Sequence, residues 1–98
     1  MTVIEIVEFT TYPSTTAENL KGALDVLDRE LADIGGFQSR ELYRAAGTDN
    51  GWLLEYRWAT LVEAQNSMSK VAHTDAFANL MALVENPETM KMSYGIPA

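Results

Sequence analysis

Three features of this 98-residue sequence predict an α+β fold, with helices laid on one face of an antiparallel sheet. Segments with strand and helix periodicity follow one another in the order β-α-β-β-αα-β. An Asn50-Gly51 pair between two alternating segments marks a hairpin, because both residues tolerate positive φ. The first helical segment carries one continuous apolar stripe, the pattern of a helix that covers a sheet.

Val3 to Thr11 is a β-branched and aromatic run, and Tyr12-Pro13 closes it because proline offers no N–H to a ladder. Thr15-Thr16-Ala17-Glu18 has capping-box spacing. Leu20, Leu24, Leu27, Leu31 and Ile34 then step by fours and threes, with Asp25, Asp28, Arg29 and Asp33 off the stripe. Gly35-Gly36 ends this helix, one of the two being expected in the left-handed conformation.

Phe37 to Ala46 and Trp52 to Ala59 form the two strands of the hairpin. A two-residue loop sets Arg44 opposite Arg57, whereas pairing residue 47 with residue 52 sets Arg44 opposite Glu55. Opposite charges across a strand pair are favoured by up to roughly 1 kcal/mol, so the longer loop is expected. Either register puts Phe37, Ser39, Glu41 and Tyr43 on the face that carries Trp52, Leu54, Tyr56 and Trp58.

Thr60 to Glu63 is a second capping box, and Ala64, Met68 and Val71 continue its helix. His73-Thr74-Asp75 breaks that helix, and Thr74 caps a third one whose buried face is Phe77, Leu80, Met81 and Val84. Asn86-Pro87 stops it, and Thr89 to Ile96 alternates as a fourth, half-buried strand. Two split βαβ units around a central hairpin make a ferredoxin-like, four-stranded antiparallel sheet. The sheet face away from the helices is expected to carry Leu42 and Leu53 amid Arg40, Arg44, Glu55 and Arg57. A second copy of the chain is the expected cover for it.

The length suits one domain over residues 1–98. A net charge of −7, with no basic cluster, argues against an electrostatic grip on nucleic acid or an anionic membrane. The absence of cysteine excludes disulfides, thiol catalysis and thiolate ligands. One histidine, with no HxH, HxxxH or HxxE spacing, gives no expectation of a metal. The first residues lack a basic segment and interrupt their apolar run with Glu5 and Glu8, unlike a signal peptide, and no stretch reaches the length of a membrane span. A soluble, cytoplasmic protein is expected.

The candidate site lies between Trp52 and Phe77. His73 is the one side chain suited to general base work near neutral pH without a perturbed pKa, and it is equally a helix-end residue bonding a backbone carbonyl. Trp52, Tyr56, Trp58 and Tyr43 read either as core or as pocket wall, and large aromatics more often fill cores. Glu41, polar on that aromatic face, either meets a ligand or reaches solvent at the sheet edge. Met68 and the other methionines suit a core or a pocket for a flat hydrophobic ligand.

With its strand-end Tyr56-Arg57-Trp58, the capped helix at Glu63-Ala64, and His73 with Phe77, the chain resembles the antibiotic-biosynthesis-monooxygenase-like branch of the dimeric α/β-barrel superfamily. The resemblance covers nearly the whole chain in element order. It implies a homodimer, a pocket between sheet and helices, and activities such as cofactor-independent oxidation of phenols or quinols, or haem degradation. The chain departs from that pattern at Tyr56, where a Glu is frequent, and at Met68, where a second-helix His is frequent. The haem-degrading branch is unmatched at Met68 and Ala78 and lacks its first-strand Asn.

Two functions follow. One is a cofactor-independent monooxygenase acting on a hydrophobic phenol or quinone. In it His73 is the base, Tyr56 and Tyr43 orient the substrate, and Trp58, Trp52, Met68 and Phe77 wall it from water. The other is a non-catalytic dimeric binding or structural protein whose pocket is filled by its own side chains.

Overall fold

The structure, a computed structural model, describes residues 2–98. Strand β1 (Val3–Thr11) runs through the middle of an antiparallel sheet ordered β2-β3-β1, with β4 and β5 on the far side of β1. The other strands are β2 (Phe37–Arg44), β3 (Gly51–Trp58), β4 (Val84–Glu85) and β5 (Lys91–Gly95). Helices α1 (Ala17–Ile34), α2 (Leu61–Val71) and α3 (Asp75–Met81) cover one face. This is the ferredoxin-like arrangement.

The expected fourth strand position is filled twice. Val84–Glu85 pairs with Thr10 and Thr11, a 3-10 turn at Pro87–Thr89 follows, and Lys91–Gly95 pairs with Ile4 to Glu8. Val84, expected on the third helix, therefore lies in a strand, buried at 3% exposure. Asn86, in the left-handed conformation at φ 54°, turns the chain between the two short strands.

Each helix starts on a threonine whose hydroxyl accepts a free backbone amide. Thr16 accepts from Asn19 at 3.1 Å, one residue later than the expected box at Thr15. Thr60 accepts from Glu63 at 3.2 Å and Thr74 from Phe77 at 3.2 Å. Gly36 sits at φ 84°, and a Cβ there would run into the Glu63 carboxylate. The end of α1 and the start of α2 meet at a point where only glycine fits without strain.

The hairpin register differs from the expected one. Arg44 pairs with Trp52, Leu42 with Leu54, and Glu41 with Glu55. Even-numbered β2 residues thus share a face with the tryptophans, while Ser39, Glu41 and Tyr43 turn outward. An irregularity between Phe37 and Ser39 returns Phe37 to the inner face opposite Trp58. Its ring meets Tyr56 and Trp58 edge-on, with centroids 6.1 and 5.8 Å away. The physical reason is packing. This register brings Leu42 against the core and sets the Arg44 guanidinium 4.5 Å from the Trp52 ring. Side-chain burial and cation–π contact are together worth more than one exposed charge pair. The Glu41–Glu55 juxtaposition is relieved by Arg57, 2.8 Å from Glu55.

Arg40, expected on the outer face, instead lies under α1. It binds Asp25 at 2.7 Å and Asp28 at 3.0 Å, leaving Asp28 Oδ1 buried without a partner. The core runs from Leu20 and Leu24 of α1 to Val3, Trp58 and Leu54 of the sheet. Among the described residues no helix is long and apolar enough to cross a membrane.

Leu24 is fully buried, so Leu24→Ala should lower the unfolding free energy by about 2–5 kcal/mol in urea titrations. Arg40→Ala should cost about 3–5 kcal/mol, because it strands the half-buried Asp28 carboxylate without its counter-charge. A loss as small as that of an exposed ion pair would show that Asp28 is reached by water.

Candidate functional site

A half-open cavity of about 60 Å³ lies between the sheet and the helices. β3 supplies Leu54, Tyr56 and Trp58 to its floor because the period of two turns these residues to the same side. α1 closes one wall with Leu27 and Leu31, and α2 and α3 close another with Val71, Phe77 and Leu80. Four methionines, Met68, Met81, Met90 and Met92, complete it. Met68 and Met92 are partly solvent-exposed and stand at the rim.

One carboxyl group enters this apolar space. Glu5 lies in phase with Val3, Val7 and Phe9 on β1, so the alternation that buries those residues buries it too, at 4% exposure. The Trp58 indole Nε1 donates to Glu5 Oε1 at 3.0 Å. Tyr94 stands opposite Glu5 across the β1–β5 pair. Burial pushes the Glu5 pKa up, while the Trp58 indole and the Tyr94 hydroxyl, as donors to the carboxylate, pull the other way. The Tyr94 phenol is raised by burial and by the adjacent Glu5 charge. Tyr56 is held firmly protonated, first by burial and then by Asp28.

The residues singled out in the sequence are distributed unevenly around this cavity. Tyr56, Trp58, Met68 and Phe77 line it. Trp52 is buried but directs its Nε1 to Thr11 Oγ1 at 3.0 Å, and it lines a separate, shallower hollow of about 140 Å³ with Thr48 and Lys91. Tyr43 is half exposed and Glu41 exposed, both on the outer face for the register reason given above. His73 is exposed in the turn between α2 and α3 and is not among the cavity's lining residues. The residue that sequence reasoning passed over is Glu5. In VIEIVEF the positions Val3, Glu5, Val7 and Phe9 share one face and Ile4, Ile6 and Glu8 the other, so both faces offered apolar residues and the fold decided which was buried.

Solved structures share this ferredoxin-like fold, and three of them show how far the likeness extends. SnoaB, a cofactor-independent oxygenase from Streptomyces nogalater, superposes with a TM-score of 0.74 at 15% identity, over 99% of this chain and 93% of that one. A candidate antibiotic biosynthesis monooxygenase from Bordetella bronchiseptica gives 0.81 at 10% identity, over 99% and 97%. Rv0793 from Mycobacterium tuberculosis gives 0.69 at 18% identity, over 100% and 96%. At these identities what is shared is the fold. No protein-family model matches the sequence, and no curated protein matches it.

A carboxyl whose folded pKa lies above its unfolded value favours the folded state at low pH and loses that contribution as pH rises through the folded pKa. Glu5→Gln keeps an oxygen for the Trp58 indole and removes the buried charge. Its melting temperature should therefore exceed that of the parent at pH 7.5, and the difference should shrink as pH falls toward the ordinary carboxylate range. Thermal melts from pH 4 to 8 decide it; a Glu5→Gln deficit that grows with pH would show that the ionised form is the stabilised one.

Proposed function

We propose that this chain is a cofactor-independent monooxygenase that oxidises a small hydrophobic phenol in the cavity between sheet and helices. The observation that carries this reading is a single buried carboxyl, Glu5, on the floor of an otherwise apolar cavity. The fold shared with SnoaB, itself a cofactor-independent oxygenase, supports it. The reaction is a phenol plus O2 giving a para-quinone plus water. The phenolate donates an electron to O2, and the radical pair joins at the para carbon as a hydroperoxide. Loss of the C–H proton there breaks the O–O bond, leaving the quinone oxygen behind and releasing hydroxide, which takes up a proton as water. The dry walls favour this route by keeping water from the reactive anion.

Tyr56, Trp58, Met68 and Phe77 form the substrate's walls in this reading. His73, Trp52, Tyr43 and Glu41 are not among the cavity's lining residues, and this reading gives them no part at the reacting hydroxyl. A bicyclic phenol exceeds the present 60 Å³, so the flexible thioethers of Met68 and Met92 must swing aside to admit it. Oxygen consumption with a panel of naphthols and anthrols is the test, with one O2 expected per quinone formed. The small volume is also the observation that favours the second reading, a non-catalytic binding or structural protein whose cavity its own side chains fill. That reading predicts no oxygen uptake and no thermal shift with any of these compounds.

The reading includes one domain over residues 1–98, a cytoplasmic location and a homodimer joined through the sheet face that the helices leave bare. That face carries Ile4, Ile6 and Leu53, all partly buried, with half-exposed Tyr43. Leu42, facing the core, does not belong to it. Glu41 stands opposite Glu55, whose charge Arg57 already partners, so a second copy bringing a cation such as Lys91 beside Glu41 completes the charge pattern. Leu53→Asp places an unpaired carboxylate at the centre of that contact and should convert dimer to monomer or aggregate in light scattering. A monomeric parent chain at micromolar concentration would rule out the dimer.

A further inference from the structure

We propose that Glu5 is the proton acceptor for the hydroxyl group of a phenol bound in this cavity, with Trp58 and Tyr94 as the residues that position its carboxylate. The inference rests on the proposed function only in taking the ligand to be a phenol.

Glu5 is the one carboxyl among the residues lining the cavity. A carboxylate has about four acceptor positions; the Trp58 indole takes one of them at 3.0 Å and the Tyr94 hydroxyl takes another from β5. Those two bonds orient the carboxylate and leave its remaining capacity to a hydroxyl arriving from the cavity. The other polar groups at the wall do not compete for the role. Ser67 Oγ donates to the Ala64 carbonyl at 2.8 Å, and the Tyr56 phenol stays protonated and serves as a donor. An apolar phenol entering here leaves its single hydroxyl with Glu5 as the only anionic acceptor on offer, and an unpaired hydroxyl in such a space is costly. Burial makes the carboxylate a stronger base than it is in water, which suits proton transfer from a weak acid.

In the reaction written above, ionised Glu5 takes the phenolic proton and then returns it to the peroxide anion. The para C–H proton then passes to the departing hydroxide as the O–O bond breaks, giving water. Glu5 ends the cycle ionised, and no outside acid or base is consumed.

Two titratable groups face Glu5: Tyr94 from β5 and Tyr56 from β3, the latter with Asp28 and Arg40 around it. α1, α2 and α3 turn only uncharged side chains toward the cavity. Between pH 5 and 8 both tyrosines stay protonated, so a pH-dependent change in ligand affinity that Glu5→Gln abolishes reports Glu5.

The experiment measures binding of 1-naphthol and of its methyl ether, 1-methoxynaphthalene, by calorimetry across that range, with oxygen uptake in parallel. The intact chain should bind naphthol about tenfold more tightly on the alkaline side of the Glu5 titration than on the acid side, the difference between a charged and a neutral acceptor. The ether should show no such dependence. Glu5→Gln should bind naphthol with a flat pH profile and lose oxygen uptake by about a hundredfold or more. Trp58→Phe, which removes a donor to the charged form, should move the affinity midpoint to higher pH and thereby tests Glu5 even if the Gln variant folds poorly. A naphthol profile that survives Glu5→Gln, or equal binding of naphthol and ether at every pH, overturns the role of Glu5 and leaves an oxygenase active on naphthols standing. Failure of the intact chain to bind either compound removes the phenol reading itself, and this inference with it.

Discussion

Strand β1 must pair on both edges while burying every second side chain beneath three helices. β3 takes one edge from Val3 to Thr10, and β5 and β4 divide the other. Its backbone groups are therefore satisfied only if both crossovers place their strands correctly. The inner residues Val3, Val7 and Phe9 are what α1 and the αα segment pack upon. The same constraint carries Glu5 inside, because a strand cannot turn one residue outward without a bulge. A polar group is thereby held in the core by the alternation of its neighbours, and the indole of Trp58 is the local compensation.

The core of the sandwich was legible in the sequence because leucine periodicity and threonine caps are local signals. Leu20, Leu24, Leu27 and Leu31 are all buried, and Thr60 and Thr74 cap the helices they precede. The hairpin register was not legible, because it is a competition between long-range terms. Charge pairing of Arg44 favoured one register, whereas Leu42 packing and the Arg44–Trp52 stack favoured another. Because side chains alternate, that difference moved Tyr43 and Glu41 from the cavity side to the outer face and carried Arg40 inward to Asp25 and Asp28. The two short strands in place of one follow from Asn86-Pro87. Its left-handed asparagine bends the chain before β5 can form, and that bend is invisible to periodicity.

The candidate site was half legible for the same reason. Tyr56 and Trp58 lie on a strand whose alternation is unambiguous, and Met68 and Phe77 follow from helical stripes, so their meeting at one cavity required only the fold. His73 drew attention by its chemistry alone. Its place in a turn between two helices, rather than on a buried stripe, leaves it in solvent. Glu5 has ordinary chemistry and an extraordinary position, and position is the property that makes a carboxyl useful.

A carboxyl in an apolar cavity is costly to the fold and of value only to a ligand that needs an acceptor there. Filling the same space with leucine at position 5 would remove the desolvation cost but leave the Trp58 N–H without a partner, and a buried donor without an acceptor is itself unfavourable by about 1–3 kcal/mol. Trp58 and Glu5 thus hold each other in place, as Trp52 and Thr11 do at the other end of the β1–β3 pair. The two pairs differ in one respect that bears on function. Thr11 is neutral, lies at 1% exposure and is satisfied by its indole, whereas Glu5 retains acceptor capacity beyond the bonds that Trp58 and Tyr94 make and faces the cavity. The Trp52 pair closes the far end of the sandwich; the Trp58 pair leaves a basic oxygen at the edge of an apolar space, where desolvation makes it more basic still.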